Sequence, residues 1–171
     1  LQKSLDAFLF CCYAGMRYSD FTNLSKKNIV DINQETWLIY KSVKTGTEVR
    51  LPLYLLFAGK GIVILNKYRN NLEVFFRLRD NSNINKDLII IAKLAGLSKK
   101  ISFHTARHTN ATLLIYNGVN ITTVQKLLGH KSVKTTQVYT NIMDMTIVHD
   151  LEKMKQATLG IKKKTDNSFN K

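Results

Sequence analysis

Residues 104–139 read HTARHTNATLLIYNGVNITTVQKLLGHKSVKTTQVY. Ala111, Leu114 and Ile115 recur at helical spacing, and Asn117-Gly118 closes that helix. Asn120-Ile121-Thr122 opens a second helix, which stops at Leu128-Gly129. His104 and Arg107 are three residues apart, so both side chains leave one helix face. His130 follows the second helix, and a lone Tyr139 comes after it. Two imidazoles with no carboxylate or thiolate beside them make a poor zinc site. Arginine instead offers a planar fork of donors matched to phosphoryl oxygens, and tyrosine a nucleophilic oxygen. The set suits phosphoryl transfer through Tyr139, with no metal or other cofactor.

Upstream, Leu5, Phe8, Leu9, Cys12 and Tyr13 recur at helical spacing, and Gly15 stands where a left-handed cap belongs. Arg17 then sits in a tight turn before a short helix capped by Ser19 or Asp20, with Phe21 and Leu24 on its apolar side. A constrained junction holds an arginine more firmly than an open helix face does. The competing reading is a surface ion pair with Asp20, a common and weak contact. From Asn28 the period changes. Ile29–Ile32, Thr36–Tyr40 and Thr47–Pro52 are β-branched, aromatic or alternating segments parted by Asn33-Gln34-Glu35 and Lys44-Thr45-Gly46. That predicts a three-stranded antiparallel meander in a mainly α domain. Lys44 falls at the second hairpin tip, where Gly46 supplies a positive φ, so its ammonium either swings into a neighbouring groove or is simply solvated. Lys41 competes for the same role.

Between Leu53 and Phe76 the pattern predicts helical scaffold, with Ile62, Leu65, Tyr68 and Leu72 on one stripe. Residues 77–85 read as an exposed loop, followed by a helix from Asn85 to Ala95 that turns Leu88, Ile91, Ala92 and Ala95 inward. At the end of its helix, His130 is expected as an imidazolium or a hydrogen-bond donor, because the dipole there is negative. His108 is expected to point off the Arg107 face and Trp37 to lie in the core, and the remaining tyrosines read as packing. A final amphipathic helix is expected from Asp144 to Thr158, carrying Ile147, Leu151 and Met154, with a basic, disordered tail over residues 161–171.

The 171 residues are 44% hydrophobic, enough to bury one good core, so residues 1–160 read as a single domain. A formal net charge of +14 points to a polyanionic partner, nucleic acid first of all. Charge alone does not choose between DNA and RNA, nor between enzyme and binder. A non-enzymatic helix-turn-helix protein using residues 105–129 explains the charge and the helices but leaves Arg17, Lys44 and Tyr139 without a purpose. A basic RNA-binding structural protein gives no reason for the ordered set. Adjacent Cys11 and Cys12 read as reduced core residues of a cytosolic protein, since neighbours do not easily bridge each other. No apolar run approaches the ~20 residues of a membrane span, and no signal peptide is recognisable. A start at Leu1, inside an expected helix, reads as a piece of a longer protein.

AGMRYSD at residues 14–20, Lys44-Thr45, HTARHT from His104, LGH at residues 128–130 and Tyr139 occur in this order. Together they resemble the signature boxes of the tyrosine recombinase (phage integrase) family, in the style of integrases of mobile elements and conjugative transposons. The resemblance spans about residues 5–142. It implies that Arg17 and Arg107 clamp a DNA phosphate, that Lys44 is the hairpin lysine, that His104 and His130 fill the two histidine positions, and that Tyr139 is the nucleophile. Asp20 stands where the family often has Glu. The resemblance further implies double-stranded DNA as substrate, a 3′-phosphotyrosyl intermediate formed without ATP or metal, self-assembly as a dimer or tetramer on DNA, and a cytoplasmic, nucleoid-associated setting. It also implies an amino-terminal DNA-clamping domain, expected to lie outside this piece of the protein.

Overall fold

The computed structural model describes residues 1–139 and residues 151, 152, 154 and 155. Helix α1 (Gln2–Ala14) runs through the middle and packs against α3 (Lys60–Lys67), α5 (Asn81–Leu94) and α6 (Phe103–Tyr116). Being covered on several sides, it is apolar nearly all round. Ala7, Phe10 and Cys11 are its deepest positions, while Leu5, Phe8, Leu9 and Tyr13 of the expected stripe are only half-buried. Burial pushes the Cys11 thiol up, and Cys12 to about 12, so both are unreactive core groups.

Arg17 occupies the N-cap position of helix α2 (Tyr18–Thr22), with no side-chain cap bond, so neither Ser19 nor Asp20 caps it. Asp20 is instead buried beneath the hairpin described below. Phe21 of α2 makes edge contacts with Phe75 (5.3 Å) and Phe76 (5.5 Å) of α4 (Leu72–Phe76), and a tilted one with Phe103 of α6 (6.2 Å). Such edge-on pairs add specificity to the apolar burial that drives the packing.

The expected meander is present: β1 (Ile29–Ile32), β2 (Glu35–Lys41) and β3 (Glu48–Pro52) pair antiparallel in that order. Asn33 and Gln34 both take positive φ (55° and 66°), the primed turn that matches strand twist. The β2–β3 register sets Leu38 opposite Leu51 and Tyr40 opposite Val49, all buried. Trp37 lies on the other sheet face, half-buried against Tyr54 at 6.1 Å, rather than in the core.

The expected single stripe over residues 53–76 is broken. Phe57 and Ala58 take left-handed φ (49° and 54°) inside a 3₁₀ turn before α3, and residues 68–71 separate α3 from α4. Helix α5 begins at Asn81, inside the segment read as a loop, because the Asp80 carboxylate accepts from the Asn83 N–H at 3.1 Å and caps it. Its buried residues are Ile84, Asp87, Leu88 and Ala92, and Ala95 is exposed. Helices α6 and α7 (Ile121–Leu128) fall where the sequence sets them, followed by the short α8 (Lys134–Gln137). They are not a free recognition unit, for α6 buries Phe103, Arg107, Asn110 and Ala111 against the rest of the domain. Leu151 and Met154 are helical and exposed; the rest of the expected last helix and the tail at 161–171 lie outside the described residues.

Asn110 ties α6 to the end of α1, its Nδ2 donating to Cys12 O and Tyr13 O, both at 3.0 Å. The approach is close enough that a Cβ on Gly15, itself at φ 68°, would lie 2.6 Å from Asn110 Oδ1. Asn110→Leu keeps the branched outline but leaves the Cys12 and Tyr13 carbonyls without their donor, and urea unfolding is expected to show a loss of about 1–3 kcal/mol. A change below about 0.5 kcal/mol, typical of a surface substitution, would mean that the bond does not lock the two helices.

Candidate active site

Arg107 projects from α6 into the interior, 1% exposed. It donates to Gly15 O at 2.7 Å and Leu128 O at 2.6 Å, the carbonyls where α1 and α7 end. Both helix C-termini carry partial negative charge, which offsets part of the cost of burying the guanidinium. Burial, then the nearby Arg17, lower its pKa to about 10, so it remains a cation at neutral pH.

Arg17 stands at the junction of α1 and α2, donating to Ser42 Oγ at 3.2 Å and, more distantly, to Asp20 Oδ2 at 3.5 Å. This is no surface ion pair, because the Asp20 side chain is wholly buried. The Asp20 carboxylate also accepts from Ser42 Oγ at 3.2 Å and the Val43 N–H at 2.8 Å, so one carboxylate orients Arg17 and anchors the β2–β3 hairpin. Lys44 follows directly. With Arg17, Tyr18, Ser19, Asn81 and His104 it lines an open cleft of about 330 Å³. Lys41 is absent from that lining, and its Cε instead lies 4.0 Å from where a Gly46 Cβ would be.

His130 follows the left-handed Gly129 cap of α7 and is buried. Its Nδ1 shares a hydrogen bond with Thr136 Oγ1 at 2.9 Å, and its carbonyl accepts from Gln125 Nε2 at 3.1 Å. Burial first, then Arg107 and Arg17, lower its pKa to about 4. The imidazolium alternative is therefore corrected: desolvation and two arginines outweigh the helix dipole, and the ring is neutral. Tyr139, 7% exposed, is raised by burial, with Arg107 and Arg17 pulling the other way.

His108, exposed beside buried Arg107, does point off the Arg107 face, yet it meets two other residues of the set. Its ring stands 4.5 Å from that of His104 and 5.3 Å from that of Tyr139, edge-on to both. A separation of four residues shares a helix face as well as one of three does, so the spacing from His104 already carried the signal. Burial, and next His108, hold His104 below the usual histidine range. Sequence reading also missed Ser42, which nothing in its neighbourhood marks, while Tyr40, read as packing, lies in the core. The Tyr40 hydroxyl is buried without a hydrogen-bond partner among the described residues, and its pKa is raised by burial and then by Asp20. Among the described residues no three His, Cys, Asp or Glu side chains cluster as a metal site would require.

Of the six residues singled out from sequence, Arg17, Lys44 and His104 thus line one cleft. Arg107, His130 and Tyr139 are buried close by, near enough for the arginine charges to shift both the His130 and the Tyr139 pKa. The chain belongs to the phage integrase family, whose model matches residues 2–145. It is similar to the tyrosine recombinase XerD of Bifidobacterium longum, 50% identical over 163 residues that cover 85% of this chain and 51% of that one. Its fold is that of the XerH site-specific recombinase bound to palindromic difH substrate in a post-cleavage complex. The TM-score is 0.67 at 21% identity, covering 86% of this chain and 44% of that one. A lambda integrase dimer bound to a core site matches with a TM-score of 0.66 at 22% identity, covering 81% and 52%. The chain spans about half the length of the relatives it matches. Among the described residues no helix is long and apolar enough to cross a membrane.

The His130 environment gives a pH dependence whose sign is fixed. Its folded pKa of about 4 lies below the ordinary 6.5, so as pH falls below about 6.5 the unfolded chain takes up a proton that the folded one refuses. Stability is therefore expected to drop between about pH 6.5 and pH 4, with His104 contributing in the same direction. His130→Asn, which keeps a partner for Thr136, should flatten the fall in melting temperature between pH 7.5 and 5. An unchanged slope would place a protonated ring in the folded state.

Proposed function

We propose that this chain is the catalytic domain of a site-specific DNA recombinase, spanning residues 1–160, in which Tyr139 cuts and rejoins duplex DNA through a covalent intermediate. The observation that carries the reading is the cleft lined by Arg17, Lys44 and His104 beside buried Arg107, His130 and Tyr139. Among the described residues three cations, Arg17, Lys44 and Arg107, face the region with one buried carboxylate, Asp20, to balance them, an excess that a phosphate would neutralise.

In the proposed reaction the Tyr139 oxygen attacks phosphorus, the bond from phosphorus to the 5′ oxygen breaks, and the products are a 3′-phosphotyrosyl ester and a free 5′-hydroxyl. Ionising a phenol of pKa about 10 at pH 7 costs roughly 4 kcal/mol, so its proton needs an acceptor. His104, lowered and accessible, takes or relays it. Arg17 and Arg107 stabilise the charge that grows on the non-bridging oxygens, and neutral His130 donates its free N–H to one of them. Lys44 gives a proton to the leaving 5′ oxygen, a step worth roughly 10²–10⁴-fold. Because the ester conserves the energy of the broken bond, rejoining to a second strand needs no ATP.

Strand exchange requires more than one copy, so assembly on DNA as a dimer or tetramer belongs to the same proposal. The mass of the complex on a duplex containing two sites would reveal it, and one copy per duplex would refute it. The test of the reaction uses a nicked duplex whose sequence the chain has selected from a randomised pool. Tyr139→Phe is expected to bind that duplex like the parent, since a phenolic hydroxyl contributes only about 1 kcal/mol, yet to form no covalent complex on a denaturing gel. Covalent attachment by the Phe variant would remove Tyr139 as nucleophile. Binding by the parent with no attachment would favour a helix-turn-helix binder.

A further inference from the structure

The backbone on either side of Lys44 is pinned, each side to a different part of the site. On one side the Val43 N–H donates to buried Asp20 at 2.8 Å. On the other, Thr45 Oγ1 donates to Gly129 O at 3.0 Å, across 84 residues of sequence. The turn it reaches already serves the site twice: Leu128 O accepts from Arg107 at 2.6 Å, and His130 follows Gly129 directly. Contact between hairpin and turn is tight as well. A Cβ on Gly129 would come within 2.6 Å of Val49 Cγ2 and 3.8 Å of Ser42 Cβ, so this backbone approach depends on glycine.

We infer that Thr45 is a positioning residue for Lys44: its bond to Gly129 O latches the hairpin tip onto the turn that bears His130 and holds Arg107, and so sets where the Lys44 ammonium stands over the cleft. Lys44 itself is exposed and carries a long, flexible side chain. Fixing its Cα is therefore the main way the fold can govern its reach, and a misplacement of about 1 Å in a catalytic group can cost about 10²-fold. The hydrogen bonds within the hairpin, Ser42 N to Thr47 O and Gly46 N to Ser42 O, both 2.8 Å, and the longer one from Thr47 N to Thr45 Oγ1 at 3.4 Å, shape the loop but do not attach it to the rest of the site. Val49 and Gly129 keep the strand packed on the turn without Thr45. Loss of the hydroxyl should therefore free the tip and leave the fold intact.

The inference rests on the reading of Lys44 as proton donor to the leaving 5′ oxygen, and the experiment separates the two. Thr45→Val, Thr45→Ser, Lys44→Ala and Arg107→Ala are compared in single-turnover cleavage of two nicked duplexes, one ordinary and one with sulfur at the bridging 5′ position. Sulfur leaves without needing a proton. Thr45→Val is expected to slow cleavage of the ordinary duplex by about 10–100-fold, with melting temperature and DNA affinity unchanged and Thr45→Ser close to the parent. The sulfur duplex should restore Thr45→Val and Lys44→Ala alike, but not Arg107→Ala. If Lys44→Ala is rescued while Thr45→Val stays slow, or if Thr45→Val is not slow at all, the latch is refuted and the role of Lys44 stands. If sulfur fails to rescue Lys44→Ala, the proton-donor reading falls and the latch falls with it.

Discussion

A buried guanidinium fixes the geometry of everything else. Arg107 is 1% exposed, and an isolated charge so placed is expensive unless it is fully bonded. The fold meets the demand by ending two helices on it: Gly15 O at the close of α1 and Leu128 O at the close of α7. Helices distant in sequence are thereby forced to a common point, and each leaves through a left-handed glycine, Gly15 at φ 68° and Gly129 at φ 63°. Those two exits deliver Arg17 on one side and His130 on the other.

The electrostatic consequences follow from that arrangement. Two arginines beside a poorly solvated histidine make protonation of His130 costly, which is why its pKa falls to about 4 although it follows a helix C-terminus. The same charges pull against the burial that raises Tyr139. Among the described residues Asp20 is the only carboxylate hydrogen-bonded into this group, and it is shared among Arg17, Ser42 and the Val43 N–H rather than held by one cation. Positive charge consequently remains unbalanced at the cleft.

Much of this was legible in the sequence where local chemistry dictates local structure. The glycine stops at Gly15 and Gly129, the Asn120 cap and the alternating strands each rest on a short-range rule, and each occurs. What failed depended on tertiary contacts or on weak local signals. The first turn of α5 is rich in Asn and Ser and reads as a loop until the Asp80 cap is recognised. The apolar stretch 53–76 hides a reversal that begins at Phe57 and Ala58, two residues ill suited to a left-handed φ, before it reaches Gly59 at φ 71°. Ser42 joins the site only because the hairpin folds onto Asp20, a contact without a sequence pattern. The contacts of His108 were readable, since its four-residue offset from His104 puts it on the face that meets Tyr139.

The central claim is that the Tyr139 oxygen itself becomes bonded to DNA, and the most direct measurement is to locate that bond. The chain is trapped on a nicked duplex, the DNA is trimmed with nuclease, and the protein is digested with trypsin and mass-analysed. Cleavage after Lys134 and Lys153 yields a peptide, residues 135–153, whose only tyrosine is Tyr139. The account predicts a nucleotide remnant on that peptide, fragmenting to a phosphotyrosine at Tyr139, together with a released strand that begins in a free 5′-hydroxyl. A remnant on any other residue, or a released strand that keeps the 5′ phosphate, would contradict it.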